Sequence, residues 1–308
     1  MTLRVFITGG GGMVGRNLLE LLPRQWIIAA PTRRELDLFD YDNLVRFVRD
    51  FKPDAIVHAA GKVGGIQANI AAPVDFMVQN VDIGRNVILA AQLAGVDRIL
   101  NLASSCIYPR DRDGILNEHD LLSGPLERTN EGYAIAKIFT LKLCEYLNIE
   151  TKDRRFKTLI PCNLYGKYDH FEENVSHLVP AIIRKIHSAK ESGCDTVEIW
   201  GDGTARREFM FAGDFAKMII RALADFSNLP DLMNVGVGMD YSVLDYYQTA
   251  AQVIDWSGTF VFDRSKPAGM RRKLISVDRQ RAWGWAPETS LYEGIAATYK
   301  YYEAEMAQ

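Results

Sequence analysis

Tyr133 and Lys137 stand four residues apart in Tyr-Ala-Ile-Ala-Lys, a spacing that puts both on one face of a helix. An ammonium beside a phenol favours the phenolate and lowers the tyrosine pKa toward working pH. Such a tyrosine can give a proton to a carbonyl oxygen as hydride arrives. Pairs of this kind also arise by chance on helix surfaces, so their position decides. Ser104 follows directly on an apolar run, Arg98–Ala103, where its hydroxyl would polarise the same oxygen.

Near the start, Thr8-Gly9-Gly10-Gly11-Gly12-Met13-Val14-Gly15 spaces glycines as GxxGxxG at Gly9, Gly12 and Gly15. Glycine allows the tight turn and the approach of backbone to a pyrophosphate, and a helix start at Met13 and Val14 would offer free N–H groups. Alone the triplet is weak; between a first strand and a first helix it reads as dinucleotide binding. The residue that reads the adenosine ribose should follow the second strand, where an acid favours NAD and an arginine a 2′-phosphate. Here stand Arg33 and Arg34, followed by Glu35. A guanidinium fork suits phosphate. The expected cofactor is NADP(H), with Arg33 the better contact.

Those residues need a scaffold. Strand-like Arg4–Thr8, Trp26–Ala30, Ala55–Ala59, Arg98–Ala103 and Lys157–Pro161 alternate with helix-like Met13–Leu22, Asp42–Arg49, Gln79–Ala94 and Tyr133–Leu147. That alternation predicts an α/β fold, a Rossmann-type doubly wound parallel sheet. It places Tyr133–Lys137 on the helix after the fourth strand, which lifts the pair above chance. After Tyr165 the pattern loosens: helices at Val175–Lys190, Phe215–Asp225 and Ser242–Val253, strands at Thr196–Trp200 and Leu232–Val235, then a Trp-containing C-terminal segment. The expected division is a cofactor domain over 1–165, rejoined by segments near 205–240, and a smaller C-terminal substrate-binding lobe over 166–308.

Composition removes other classes. With 308 residues, 48% hydrophobic and 24% charged, the chain can bury a sizeable core, and its net charge of −3 lacks the basic footprint of nucleic-acid binding. No run of ~18 apolar residues exists to span a bilayer. The N-terminus enters a strand without a signal-peptide pattern, so a cytoplasmic location is expected. Cys106, Cys144, Cys162 and Cys194 show neither CxxC pairing nor metal-ligand spacing, so no metal site and no disulfide framework are expected.

The glycine loop, Lys62-Val-Gly-Gly-Ile66, Ser104-Ser-Cys-Ile-Tyr-Pro109, Tyr133–Lys137, Asn163-Leu-Tyr-Gly166, Ser176-His177, Trp200-Gly201 and Arg207-Glu-Phe209 occur in that order. Together they resemble the GDP-L-fucose synthases, extended short-chain dehydrogenase/reductases, over almost the whole chain. The resemblance implies an NADPH-dependent 3,5-epimerase and 4-reductase acting on a GDP-linked 4-keto-6-deoxy sugar, as a homodimer. It implies Ser104, Tyr133 and Lys137 as the reductase triad and Cys106 and His177 as the acid/base pair. It places Leu102, Asn163, Lys137 and His177 near the cofactor, and Lys185, Trp200 and Arg207 at the nucleotide-sugar. The chemistry is coherent: a C4 ketone acidifies the hydrogens at C3 and C5, and a thiol and an imidazole titrate near enough to neutrality to exchange them. Without the resemblance, Cys106 reads as a small core residue and His177 as a helix start.

Three positions depart from that pattern. Ala268 stands where the family's aspartate would meet substrate, Lys167-Tyr-Asp-His170 replaces Pro-His-Asp-Asn, and Gly132 replaces a proline. They leave the sugar open: a GDP-linked heptose, with or without epimerisation, is an alternative. A non-catalytic NADP-binding sensor is a more remote one, disfavoured because tyrosine and lysine are both kept.

Overall fold

The computed structural model describes residues 2–110, 112, 114–151, 155–173, 175–265 and 270–307. Ala268 lies outside them. The first half of the chain forms β1 (Arg4–Thr8), α1 (Met13–Leu21), β2 (Ile27–Ala29), α2 (Tyr41–Phe51), β3 (Ala55–His58), α3 (Ile66–Ala71), α4 (Pro73–Leu93), β4 (Arg98–Leu102), α5 (Glu131–Glu150) and β5 (Arg155–Pro161). The second half forms β6 (Asn163–Tyr165), α6 (Leu178–Ser192), β7 (Thr196–Trp200), β8 (Arg206–Arg207), β9 (Phe209–Phe211), α7 (Ala212–Ala224) and β10 (Leu232–Val235). It closes with β11 (Tyr241–Ser242), α8 (Val243–Ile254), β12 (Thr259–Asp263), β13 (Arg272–Lys273), α9 (Asp278–Ala282) and α10 (Leu291–Met306).

Six strands build one sheet in the order β10-β5-β4-β3-β1-β2, every neighbour parallel. Side chains alternate across it as strand geometry requires. Val5, Ile7, Val57 and Leu100 face one core, shared with Leu18 of α1 and Phe215 and Ile219 of α7. Phe6, Ile56 and Ile99 face the other, with Leu44 and Val48 of α2 and Val87 of α4. Both faces are covered, which is why these strands read as continuous apolar runs. The chain leaves β1 toward β2 on one side and returns to β3 on the other, so a crevice opens at the carboxyl ends of β1 and β3.

A third core belongs to the later elements. Ile182, Ile183 and Ile186 of α6, Val197 and Ile199 of β7, Tyr246 and Ala250 of α8, and Ile295 and Tyr299 of α10 pack together. Small sheets border it: β12 with β7, β6 with β9, and the ribbon β11-β8-β13.

Element boundaries differ from the sequence reading where caps decide them. α4 begins at Pro73, not Gln79, because proline at the first helical turn gives up no hydrogen bond. α6 begins at Leu178, with His177 as its N-cap, rather than at Val175. The C-terminal segment ends in a 16-residue helix, α10, opened by a reciprocal Ser290–Glu293 capping box.

Candidate active site

The glycine turn sits at the crevice. Gly9 has φ +75°, and a Cβ there would lie 2.7 Å from Ala60 N; one on Gly15 would overlap Gly9 O. Gly12 and Gly11 are different: a Cβ on Gly12 would meet only Gly9 O at 3.5 Å, and one on Gly11 nothing within 4 Å. Two glycines are therefore needed for packing and two leave open space. No side chain among the described residues caps α1, so the N–H groups of Met13 and Val14 have no intrahelical acceptor. Open backbone and free donors at one helix start suit a pyrophosphate. Across the crevice, Ala60 N donates to Thr8 Oγ1 at 3.2 Å, and Thr8 Oγ1 is hydrogen-bonded to His58 Nδ1 at 2.9 Å. Burial, with the Lys137 charge, pushes His58 down to about 3, so this buried ring is neutral.

Arg33 and Arg34 are exposed after β2, the Arg33 guanidinium 5.6 Å from the Phe39 ring centroid. Glu35 bends back instead: its carboxylate accepts from Thr32 N at 2.7 Å, and that bond holds it below the usual range. The acid is spent inside its own turn.

Beyond β4 the chain forms a single 3-10 turn, Ser105–Ile107, whose N-cap is Ser104; Cys106 N donates to Ser104 Oγ at 3.4 Å. Tyr108 ties this turn to the sheet by donating to Asn234 Oδ1 at 2.6 Å. α5 runs alongside. Lys137 Nζ lies 5.8 Å from the Tyr133 ring centroid and donates to Leu102 O at 3.1 Å. Ser104, Cys106, Leu102, Tyr133 and Lys137 are thus one cluster, and their electrostatics bear that out. Burial pushes the Cys106 thiol up, against the pull of Lys273, Ser104 and Lys137. Burial brings Lys137 down to about 8, against the pull of Cys106.

Tyr133 corrects the expectation. Its phenol is pushed up, first by burial and then by Cys106, not lowered by its lysine. The amine is itself close to losing its proton and is engaged by Leu102 O. Cys106 and His177 likewise move away from neutrality: burial, then the His170 charge, lowers the His177 imidazole. Desolvation is the largest influence on each of these groups; it overcomes opposing attractions at Cys106 and Lys137, while at Tyr133 and His177 the neighbouring group acts in the same direction.

The backbone that leads to His177 lies against the loop after β3. Gly61 adjoins Lys137: a Cβ there would lie 3.6 Å from Nζ and 2.7 Å from Asn80 Oδ1. Four residues on, a Cβ at Gly65 would lie 3.4 Å from Val175 O, just before His177. Asn80 fixes the loop's start, accepting from Lys62 N at 2.9 Å and donating to Lys62 O at 3.1 Å.

The remaining expected residues fall into two groups. Asn163 donates to Glu208 O at 3.1 Å, joining β6 to β9. Arg207 is paired in register with Lys273 on the ribbon. The Lys273 amine, lowered by burial, is the described residue whose charge acts most on Cys106. Lys185 and Trp200 form a separate pair, the ammonium 5.5 Å from the indole and donating to Glu198 O at 3.3 Å. Lys273 and Glu208 were not singled out from the sequence. Two dibasic steps, Arg206-Arg207 and Arg272-Lys273, were the available sign of the first. Glu208 accepts from Val237 N and Gly238 N, both at 2.7 Å, and from Ile275 N at 3.1 Å. Burial nevertheless raises it to about 7.

The model of the NAD dependent epimerase/dehydratase family matches residues 5–236. A GDP-L-fucose synthase of Azorhizobium caulinodans is 52% identical over 300 residues, 97% of this chain and 96% of that protein. A GDP-L-colitose synthase of Yersinia pseudotuberculosis is 48% identical over 301 residues, 97% of this chain and 98% of that one. Among solved structures, a GDP-mannoheptose C4 reductase from Campylobacter jejuni with NADP bound superposes with TM-score 0.87 at 30% identity, covering 98% of each chain.

Proposed function

Because the chain belongs to the NAD dependent epimerase/dehydratase family, we propose that it is an NADPH-dependent epimerase-reductase converting GDP-4-keto-6-deoxy-D-mannose to GDP-L-fucose. The observation that carries this is the gathering of Ser104, Cys106, Tyr133 and Lys137 at one place, with the His177 approach laid against the same loop. Likeness to the A. caulinodans synthase supports the sugar.

The residues divide the work. The open backbone at Gly11–Val14 holds the pyrophosphate and Arg33 the 2′-phosphate. When bound, the cofactor supplies hydride to C4. Cys106 and His177 remove and return the protons at C3 and C5. Ser104 hydrogen-bonds the C4 oxygen, and Tyr133 protonates it as the ketone is reduced. A phenol pushed up by burial stays protonated at neutral pH, which is the form a donor needs. Lys137, at about 8, can pass a proton to the tyrosine afterwards. Asn163 supports the cofactor side; Arg207 faces the diphosphate, and Lys185 with Trp200 the base.

Residues 1–165, with segments near 205–240, serve the cofactor, and 166–308 mainly the substrate. Val74, Val78, Ile135, Phe139, Tyr146 and Ile149 of α4 and α5 are exposed, a surface suited to a homodimer through those helices. Among the described residues no helix is long and apolar enough to cross a membrane. The four free cysteines suit the cytoplasm.

Likeness to the colitose synthase and to the heptose reductase supports a second reading, the same chemistry on another GDP-linked keto sugar. Turnover of GDP-4-keto-6-deoxy-mannose with NADPH in deuterated water, the product identified by NMR, tests both. GDP-L-fucose deuterated at C3 and C5 is expected. Reduction without exchange, or turnover only with another sugar, would favour the second reading.

A further inference from the structure

We propose that Asn69 is a positioning residue for His177, acting through the backbone of Gly64 and Gly65; its catalytic consequence rests on the epimerase-reductase reading. Asn69 lies on α3 and is 6% exposed. Its Nδ2 donates to Gly64 O at 2.9 Å and to Gly65 O at 3.0 Å. Both partners are carbonyls, so the amide orientation is fixed by the network. Two adjacent glycines carry more backbone freedom than any other pair, and these two bonds remove it.

What the bonded segment touches gives them a purpose. A Cβ on Gly65 would stand 3.4 Å from Val175 O and 3.6 Å from Ser176 O. The next residue, His177, is the N-cap of α6. Gly65 therefore sets its backbone against the two residues that lead into His177, and Gly64 packs behind it on Ala68 and Phe76. On its other side Asn69 borders a cavity of about 180 Å³, lined also by Ile70, Asn130, Gly132 and Tyr133. Asn69 Oδ1 is buried and has no partner among the described residues.

Asn69→Asp places carboxylate oxygens against two carbonyls in the same volume. With GDP-4-keto-6-deoxy-mannose in deuterated water, C3 and C5 exchange is expected to fall on the order of ten- to a hundredfold. Hydride transfer from GDP-L-fucose to NADP⁺ in a single reverse turnover precedes any epimerisation and is expected to change less than about threefold. Asn69→Gln, which keeps the donor, should recover part of the exchange. A readout independent of substrate is the ring NMR signal of His177, one of five histidines and assigned by its loss in His177→Asn. It should shift in the Asp variant while the others hold. If Asn69→Asp does not fold, Asn69→Leu, of similar size and without a donor, carries the same measurements. Unmoved His177 signals, or exchange and hydride transfer falling together, overturn the proposal. A wild-type protein inert toward this sugar would overturn the functional reading, while the NMR result would still decide the positioning.

Discussion

Tyr133 and Lys137 ride a single 20-residue helix, and the lysine is fixed further by a strand carbonyl. Cys106 sits instead on one 3-10 turn, and His177 on a helix cap reached through a loop that leans on glycines. On the proposed reading, the two mountings suit two tasks. Hydride delivery to one carbon and protonation of its oxygen need fixed distances, which a helix packed on a sheet supplies. Proton removal and return at two carbons of a ring need reach from different sides, which a turn and a cap supply.

The sharpest way to break this comparison is Tyr133→Phe. NADPH oxidation should fall ~10²–10⁴-fold, while C3 and C5 exchange in deuterated water persists, because the exchanging groups are mounted elsewhere. Loss of both would mean the two mountings act as one. Cys106→Ala should give the mirror result, exchange down ~10²-fold with reverse hydride transfer largely kept. Both are read by NMR and by NADPH absorbance.

Lys137→Met sharpens the rigid side. The unfolded lysine keeps its proton to ~10.4, whereas the folded one gives it up near 8. Folding therefore carries a penalty that is complete below pH 8 and is relieved as pH rises toward ~10.4. Replacing the amine should abolish reduction yet stabilise the fold at pH 7 by on the order of 2–3 kcal/mol. The variant should also lack the wild type's gain in stability between those pH values, measured by denaturant melts. The smallest effect tests the cofactor end, where the proposal has backbone hold one phosphate group and an exposed side chain the other. Arg33→Gln should weaken NADPH binding about tenfold and leave NADH nearly unchanged, by fluorescence titration.

The sheet and the glycine turn after β1 were legible because they are written in period and spacing: apolar runs at β1, β3, β4 and β5, glycines at Gly9, Gly12 and Gly15. Tyr133 and Lys137 were legible for the same reason. Lys273 was not, since a two-residue strand has no period and its register with Arg207 exists only after folding. Asn69 was hidden too, because its partners are backbone carbonyls, which sequence does not display. The helix Leu291–Met306 carried a readable start, Ser290 and Glu293, but four tyrosines and three alanines blur its amphipathic stripe. The direction of the Tyr133 shift was misjudged because the spacing to Lys137 is visible in sequence and the degree of burial is not.

The sixth strand, β10, has a consequence during synthesis. It pairs with β5, yet follows it by about seventy residues that build β6, α6, β7, β8, β9 and α7. At ~5–20 residues per second, a ribosome would need roughly four to fourteen seconds to supply it. For that interval a nascent chain carries β5 as a bare edge, open to another strand. Chaperone dependence and losses to inclusion bodies should therefore track translation speed across residues 162–235 more than across the earlier strands.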